Sequence, residues 1–347
     1  MLSHTVPKKL LEHFAYEDSL TRSKRLWRYQ KGRPPYARAS PKSATRWDGH
    51  FADPANAAKE AEVEARLQQE FENPVNEFIE LLCYRTFAFT PTHIRLLTGY
   101  LTILFHRSRA RRAASGGQHE TQMDALRELR ADDGLLAQLA AKIAMDMIPG
   151  GAVKMPTKEE AIAAIDAEIA KQTVGDVAQR GYARTMETMM AFTDAGMRDG
   201  QWGIVRTEPD KPFVIGDAPV VTWERTEQNM LVFGQGFARP NVEVFLPVFP
   251  TACLHVLPKV VRTRTVRVPS TDDVNMAQAA FATEYCFTNV LKAEIDALLQ
   301  YHFGTAHIGD NVFALRHVNH KEKLFEILMN QRPQAISESE EFEEISE

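Results

Sequence analysis

Asp217 is the carboxylate around which the sequence most clearly arranges a turn. The apolar residues Phe213, Val214 and Ile215 lead into Gly216, and Pro219 follows two residues after the aspartate. Glycine accepts positive φ and proline disfavours the helical conformation of the residue before it, so a buried strand should stop here. An aspartate in such a turn commonly accepts hydrogen bonds from backbone N–H groups. It can equally face a cleft at the strand end, where scaffolds tend to hold reactive groups, and both interpretations stay open.

Arg107 is a second residue that could take part in chemistry, because it is a cation on the apolar side of a predicted helix. Tyr100 and Leu104 belong to the inward-facing stripe, and Arg107 continues it at helical spacing. A guanidinium in an apolar layer needs a partner, because burying it unpaired is costly. Glu70 borders the stripe of the preceding helix, so we predict a contact between Glu70 and Arg107.

His4 and Asn275 are the two remaining polar residues with a possible role in chemistry. His4 precedes a short helix that Ser3 or Thr5 could cap, and Leu11 lies on its inward face. The imidazole is either exposed and idle or held against the core as a general base or ligand. Asn275 lies near the start of a helix predicted from residue 272 to about residue 299, where a polar side chain suits the first turn.

The sequence predicts a catalytic site that gathers His4, Glu70, Arg107, Asp217 and Asn275 in one cleft. A His–Asp pair could orient a general base, and the arginine could stabilise an anionic group. This set suits hydrolysis of a phosphate- or acyl-containing substrate, with nucleic acid among the candidates. The sequence identifies no cofactor, and the expected partner is a small molecule or nucleic acid.

Two other classes of function stay open. In the first, the protein is a non-catalytic binding or assembly protein, and the same polar residues form a buried network that fixes helices onto the sheet. In the second, it binds nucleic acid through basic clusters at residues 22 to 33 and 107 to 112. Residues 1 to 50 carry 11 Lys and Arg against 4 acidic residues, interleaved with aromatic side chains. A half-buried hairpin with a solvated basic face is the alternative explanation.

The composition is that of an ordinary globular protein. The chain has 347 residues, of which 44% are hydrophobic and 25% charged, and its net charge is −5. Three distant cysteines form no CxxC motif, although one long-range disulfide bond is compatible with their spacing. No apolar run follows Met1 and none approaches a membrane span, so we expect a soluble protein in the reducing cytoplasm, without a membrane partner.

Familiar catalytic motifs are missing from the sequence. It contains no P-loop, no GxGxxG after a strand, no HExxH and no GxSxG elbow. His317 with His320, and His302 with His307, have spacings that a metal could use, but no acidic or Cys partner accompanies them in pattern. The sequence therefore names no metal.

The order of elements predicts an α+β fold, with a helical bundle packed against a mostly antiparallel β-sheet. We expect one integrated domain over residues 1–330. Its parts are a helix and hairpin at 1–50, a helical bundle at 55–199, a β-rich part at 200–270 and C-terminal helices at 271–330. Five short strands punctuated by turns follow residue 200, which favours antiparallel pairing over a βαβ pattern. Residues 336–347 are an acidic tail that we expect to be disordered.

The chain resembles an uncharacterised microbial family, the domain of unknown function 4238. The resemblance covers roughly residues 3 to 300 and rests on short pieces in a fixed order. These pieces are His4-Thr-Val-Pro7 with Leu11 and Phe14, Leu26-Trp-Arg-Tyr29, Glu64 with Glu70, Leu104-Phe-His-Arg107, Trp202 with Ile204, Gly216-Asp-Ala-Pro219, Phe245-Leu-Pro-Val-Phe-Pro250, and Asn275 with Ala279. The family turn usually looks like Ser-Asp-Asn-Pro, so Gly216 and Ala218 depart from it. The resemblance supports the architecture and the choice of polar residues, and implies no particular reaction.

Overall fold

A computed structural model gives the fold of the protein. It describes residues 2–48, 62, 65–108, 123–124, 126–131, 134, 157–173, 197–225, 231–233, 237, 241–258 and 268–306. The chain divides into two compact units, Met1–His119 with Gly175–Val312, and Glu120–Val174 with Phe313–Glu347. Whether they form one integrated domain stays a prediction.

The strands of the described residues all belong to the first unit. They are β1 Leu2–His4, β2 Tyr16–Glu17, β3 Lys24–Gln30, β4 Arg33–Ala39, β5 Arg46–Asp48, β6 Gln201–Arg206, β7 Ile215–Gly216, β8 Val221–Arg225, β9 Leu231–Phe233, β10 Val242–Phe249, β11 Ala252–Leu257 and β12 Tyr285–Thr288.

Six α-helices have both ends within the described part of the chain. They are α1 Lys8–His13, α2 Asn73–Phe78, α3 Pro91–Arg107, α4 Lys158–Thr173, α5 Thr271–Phe281 and α6 Ala293–His302. A π-helical turn, Gln68–Glu72, leads directly into α2, and a 3-10 helix, Ile79–Cys83, follows α2. Pro74 has no backbone N–H with which to continue the hydrogen bonding of a preceding helix, which explains why α2 begins at Asn73.

The strands form two five-stranded sheets and one pair. One has the order β6-β11-β10-β8-β9, and we call it the larger sheet because its strands contain more residues in total. The second sheet has the order β2-β3-β12-β7, with β4 beside β3, and β1 pairs with β5. Every pairing among these strands is antiparallel. The fold of the described residues is therefore α+β, as predicted.

Strand β10 of the larger sheet is buried on both faces, which explains why it is apolar apart from Glu243. On one face, Val244 and Leu246 of β10 belong to a core that includes side chains of α1 and α3. On the other face, Phe245 packs in a cluster with Val274 and Phe281 of α5. Helix α5 therefore covers one face of this sheet.

Helix α6 has a similar role on the second sheet. Leu299 and Phe303, at the end of α6, pack with Tyr29 of β3 and Cys286 of β12. The opposite face of this sheet contributes Leu26 and Phe287 to the main core. Strand β12 is thus buried between two layers.

One predicted helix is wrong. The segment from residue 272 to about residue 299 is broken into α5, β12 and α6. Its middle residues pair with β3 on one side and β7 on the other. Tertiary pairing outweighs the local helical pattern here, because Cys286 and Phe287 bury their side chains within the sheet.

Smaller corrections concern the first hairpin, the first helix and β7. The predicted hairpin forms, but Pro34 and Pro35 lie within β4 and not in a loop. Among the described strands, β4 pairs with β3 alone and is therefore an edge strand, and edge strands tolerate proline. Helix α1 has Pro7 at its N-cap and no side-chain cap, since Ser3 lies in β1. The predicted strand at 213–215 is reduced to Ile215 and Gly216.

The second unit is described through α4 and a short neighbouring segment. Helix α4 forms at the predicted place, and Ile165 on it is buried, as is Leu129. Asp166 of α4 pairs with Arg130 at the surface. The sequence pattern also predicts helices at 135–148 and around 182–192. Both segments lie outside the described residues, as do Arg109, Arg111, Arg112, His307, His317, His320 and the acidic tail.

The structure bears on the cysteines and on the question of a membrane-spanning helix. Cys83, Cys253 and Cys286 are free thiols, so none of them forms a disulfide bond. Within the described residues, no helix combines the length and the apolar character that crossing a bilayer requires.

Candidate functional site

The carboxylate of Asp217 is buried and accepts three backbone hydrogen bonds. Its Oδ1 accepts from the N–H of Thr283 at 2.8 Å, and its Oδ2 accepts from the N–H groups of Glu284 at 2.8 Å and Tyr285 at 3.2 Å. The backbone N–H of Asp217 donates to the carbonyl of Tyr285 at 2.9 Å. The aspartate therefore fixes the start of β12, which explains why the helix predicted across this region ends.

Asn275 and Gln278 of α5 hold the segment that leads into this turn. The Oδ1 of Asn275 accepts from the N–H of Val214 at 2.8 Å, and its Nδ2 donates to the carbonyl of Pro212 at 3.0 Å. Gln278 accepts from the N–H of Gly216 at 2.8 Å and donates to the carbonyl of Pro219 at 2.9 Å. Two carboxamides one helical turn apart thus bind backbone groups of residues 212–219 that a neighbouring β-strand would otherwise bind.

Gly216 is needed for a reason other than the one predicted. Its φ is not positive; the described glycines with positive φ are Gly32 and Gly304. A Cβ at position 216 would lie 2.9 Å from the backbone carbonyl of Gln278 and 3.3 Å from its Oε1. Glycine is therefore required so that α5 can approach the strand. We call residues 212–219, with Asn275, Gln278 and residues 283–285, the Asp217 corner.

The pKa of the Cys286 thiol is affected by its position beside the Asp217 corner. Burial, and secondarily the negative charge of Asp217, raise the pKa of its thiol well above the ordinary value. The thiol is therefore neutral near pH 7 and a poor nucleophile.

Arg107 is as buried as predicted, but its partner is different. Its side chain is 2% exposed and its guanidinium pairs with Glu72 at 2.5 Å. Glu70 instead pairs with Arg66 at 2.9 Å, at a half-exposed surface. The predicted contact between Glu70 and Arg107 is wrong because these glutamates lie on a π-helical turn, where the α-helical spacing used for the prediction does not hold.

The hydroxyl group of Tyr100 lies near the Arg107–Glu72 pair. Burial, then the charge of Glu72, raise the pKa of this phenol, while Arg107 opposes the shift. Within the described part of the chain, its oxygen has no hydrogen-bond partner. The described contacts of Arg107 thus belong to the helical layer, between α3 and the turn before α2.

His4 ends β1, where its backbone pairs with Arg46 of β5. Its side chain lies outside what the structure describes. Asp217 and Asn275 share the Asp217 corner, whereas Glu70 and Arg107 lie on helices of the same unit. The convergence of all five residues on one cleft stays a prediction.

His255, which is paired with a buried glutamate, lines an open cavity. Nε2 of His255 on β11 lies 2.9 Å from Oε2 of Glu243 on β10, and both side chains are largely buried, with exposures of 13% and 5%. The imidazole stacks on Phe245 with ring centroids 4.5 Å apart. The cavity has a volume of about 510 Å³, and its wall includes Gly203, Arg206, Lys211, His255, Thr271 and Asp272.

Cationic and dipolar groups surround this His255 cavity. Lys211 is exposed at its rim. Arg206 lines it too, but its guanidinium also donates to the carbonyls of Leu82, Cys83 and Tyr84. The N-terminus of α5, capped by Ser270, forms part of the wall.

Gly203 makes room for the His255 cavity. It lies opposite His255 in the β6–β11 pairing, and a Cβ there would have no described atom within 4 Å. Any larger residue at this position would extend into the space beside the imidazole.

The sequence did contain a signal for Glu243 and His255 that our predictions did not use. Each is a polar residue inside an otherwise apolar predicted strand, and the two strands are separated by a short turn at Pro250. Polar side chains in such strands should meet across the hairpin, since a lone buried one is costly. A search for paired polar interruptions would have found them.

The chain is an α+β protein in which the segment centred on Asp217 leads from β7 of one antiparallel sheet to β8 of the other. The family model described as "Protein of unknown function (DUF4238)" matches residues 3–290, so the chain belongs to that family, as the resemblance predicted. Comparison with curated proteins and with solved structures gives no match. The matched range includes both the Asp217 corner and the His255 cavity.

Proposed function

We propose that this protein is a hydrolase-like enzyme that acts on a phosphate- or acyl-containing substrate, with His255 as its general base. The observation that supports this proposal is the hydrogen bond between His255 and Glu243 at the wall of an open cavity. A histidine held by a carboxylate is a recurrent arrangement for moving protons in hydrolysis.

The contact with Glu243 favours one tautomer of the imidazole. An ionised carboxylate only accepts hydrogen bonds, so Nε2 of His255 donates its hydrogen to Glu243. In the neutral ring Nδ1 then carries the lone pair and can accept a proton from a water molecule in the cavity. Glu243 acts as a positioning residue and stabilises the imidazolium that forms.

The groups around the cavity can stabilise negative charge on a substrate. Lys211 and Arg206 supply positive charge, and the first-turn N–H groups of a helix such as α5 favour anions. Asp272 and Asp273 in the first turn of α5, and Glu243 beside His255, are acidic residues near the same cavity. Stabilisation of an oxygen that becomes negative during attack by water would therefore come from direct contact with Lys211, Arg206 or the N–H groups of the helix.

The size of the cavity favours a small substrate. Pockets for small molecules commonly measure about 300–1,000 Å³, and the His255 cavity has about 510 Å³. A phosphorylated or acylated small molecule, or the end of a nucleic acid strand, would fit this range. Our expectation of a cytoplasmic setting, where small phosphorylated molecules abound, agrees with the three free thiols.

The test is hydrolysis of nitrophenyl phosphate and nitrophenyl acetate by the purified protein and its His255→Gln variant. Glutamine can still donate a hydrogen bond to Glu243 but cannot act as a base, so folding should be kept while kcat falls about 10²- to 10⁴-fold. His302→Gln is the matched control, because His302 lies on α6 and does not line the cavity. Equal rates for His255→Gln and the unmodified protein, or no hydrolysis of either ester, would contradict the proposal.

The second candidate is a non-catalytic binding or assembly protein. The observation that favours it is the complete use of Asp217 and Asn275 by backbone groups, as in a structural network. Under this candidate a phosphate-containing ligand would raise the melting temperature without being converted. Measuring ligand-induced thermal shifts beside product release separates the two candidates.

A further inference from the structure

Arg28 on β3 lies between two aromatic rings. Its guanidinium carbon is 4.7 Å from the ring centroid of Tyr285 and 5.2 Å from that of Tyr36. Tyr36 is directly opposite Arg28 on β4, and Tyr285 is on β12 at the other side of β3. The two neighbouring strands therefore each supply one wall of a Tyr–Arg–Tyr clamp, which consists of Tyr36, Arg28 and Tyr285.

The clamp orients the guanidinium of Arg28 but supplies no hydrogen-bond acceptor for its N–H groups. The Nε of Arg28 is buried and has no hydrogen-bond partner in the described part of the chain. Guanidinium has five N–H donors, and a ring face offers electrostatic attraction without an acceptor oxygen. Because Nε is buried, a ligand would meet the guanidinium at its terminal N–H groups, and a strong acceptor there would offset part of the cost of the missing hydrogen bond.

The described neighbours of Arg28 on the same face of the sheet carry no negative charge. Along β3 they are Leu26 and Gln30, and Phe287 is opposite on β12. An arginine held flat, with no carboxylate in this set, is suited to a ligand that brings its own negative charge.

The Asp217 corner fixes one wall of the clamp. Asp217 accepts from the backbone N–H of Tyr285 and donates its own N–H to the Tyr285 carbonyl. The backbone of Tyr285, and with it one wall of the clamp, is thus held by the Asp217 corner. Tyr36, in contrast, is 45% exposed, so the clamp can be reached from solvent.

We propose that the Tyr–Arg–Tyr clamp binds the oxyanion of a ligand, a phosphate group or a carboxylate, on the guanidinium of Arg28. The planar fork of arginine donates two parallel hydrogen bonds to such a group, and the rings hold the fork in place before the ligand arrives. This site belongs to the second sheet, whereas the His255 cavity is lined from the larger sheet. It therefore does not depend on the proposed hydrolytic activity.

Isothermal titration calorimetry of the full chain with inorganic phosphate, and separately with acetate, tests this site. We expect saturable binding of one or both anions by the unmodified protein. Arg28→Gln should weaken that binding about 10- to 100-fold, the usual effect of losing charge-assisted hydrogen bonds. Arg95→Gln is the matched control, since Arg95 is exposed on α3 and its loss removes the same charge.

The outcomes distinguish a binding site from a stacking arrangement that only supports the sheet. Absence of saturable binding of both anions at millimolar concentration, or equal affinity of Arg28→Gln and the unmodified protein, would overturn the proposal. If Arg28→Gln does not fold, Tyr36→Leu replaces it, because this half-exposed ring is one wall of the clamp. Tyr36→Leu should weaken binding several-fold, and an unchanged affinity would also overturn the proposal.

Discussion

Asp217 and Glu243 are buried carboxylates of the same unit, and they have opposite surroundings. Asp217 is satisfied by three backbone N–H groups, so its charge organises the chain. Glu243 is satisfied by an imidazole that lines a cavity, so its charge acts on a group that can exchange protons. Burial alone therefore does not identify a reactive carboxylate; the chemical type of its partner separates the two roles.

Two glycines repeat this contrast. Gly216 in the Asp217 corner is so close to α5 that a methyl group would meet the carbonyl of Gln278. Gly203 at the His255 cavity has open space where its Cβ would be. One glycine allows close packing, and the other leaves open space beside the His255 cavity.

The largest expected effect is on stability, from Asp217→Asn. Asparagine removes the negative charge and one of the two acceptor oxygens that bind residues 283–285, so we expect a loss of about 3–5 kcal/mol in the free energy of unfolding. Denaturant titration measures this loss. Asp210→Asn, at an exposed turn residue, is the control and should change little. A loss of less than 1 kcal/mol, the scale of a typical single substitution, would show that the contrast with Glu243 is mistaken.

The two glycines give the next prediction, since the same substitution should have different results in the two regions. Gly216→Ala should destabilise the protein by about 1–3 kcal/mol through overpacking against α5. Gly203→Ala should change stability by no more than about 0.5 kcal/mol, because no described atom opposes its methyl group. Thermal unfolding followed by circular dichroism compares them, and equal losses would remove the distinction.

Glu243→Gln tests whether the buried carboxylate beside the His255 cavity assists catalysis. The amide keeps the shape of the side chain but no longer stabilises a protonated His255, so kcat for ester hydrolysis should fall about tenfold while KM stays unchanged. Glu224→Gln on β8 is the matched control, because Glu224 lies opposite Val242 and therefore on the other face of the sheet from Glu243. A rise in KM with unchanged kcat would mean that Glu243 contributes to substrate binding and does not orient a base.

The smallest effect concerns the thiols. Burial raises the pKa of all three, but Cys286 and Cys253 are fully buried while Cys83 is half-buried. Iodoacetamide should therefore label Cys83 first and Cys286 slowly, as mass spectrometry of peptides would detect. In Asp217→Asn, labelling of Cys286 should accelerate because the corner opens. Unchanged protection of Cys286 in this variant would argue that Asp217 does not hold the corner closed.

Much of the architecture could be predicted from local sequence. The apolar strands after residue 200, the hairpin at Leu26–Tyr29 and the helix that begins at Pro91 follow from side-chain periodicity and capping, which act over a few residues. The break between α5 and β12 could not be predicted in this way. It depends on Asp217, which lies 66 residues before the first N–H that it binds.

The contents of the candidate site were harder to predict, for a similar reason. The burial of Arg107 follows from helical spacing. Its pairing with Glu72 depends on a π-helical turn, which we did not predict from the local sequence. Asn275 was expected in the first turn of a helix and as a member of the catalytic cleft, but the sequence did not indicate that its amide binds the backbone of residues 212 and 214. Partners of buried polar groups are set by the tertiary fold, which the spacing of residues in sequence does not report.

The most direct test of this account is turnover per folded molecule, measured side by side for His255→Gln and Asp217→Asn. The account predicts that His255→Gln retains its melting temperature and loses hydrolysis about 10²-fold or more. It predicts that Asp217→Asn melts at a lower temperature, while the molecules that remain folded keep their rate. The opposite pattern, with normal melting and lost activity in Asp217→Asn and full activity in His255→Gln, would contradict it and place the reaction at the Asp217 corner.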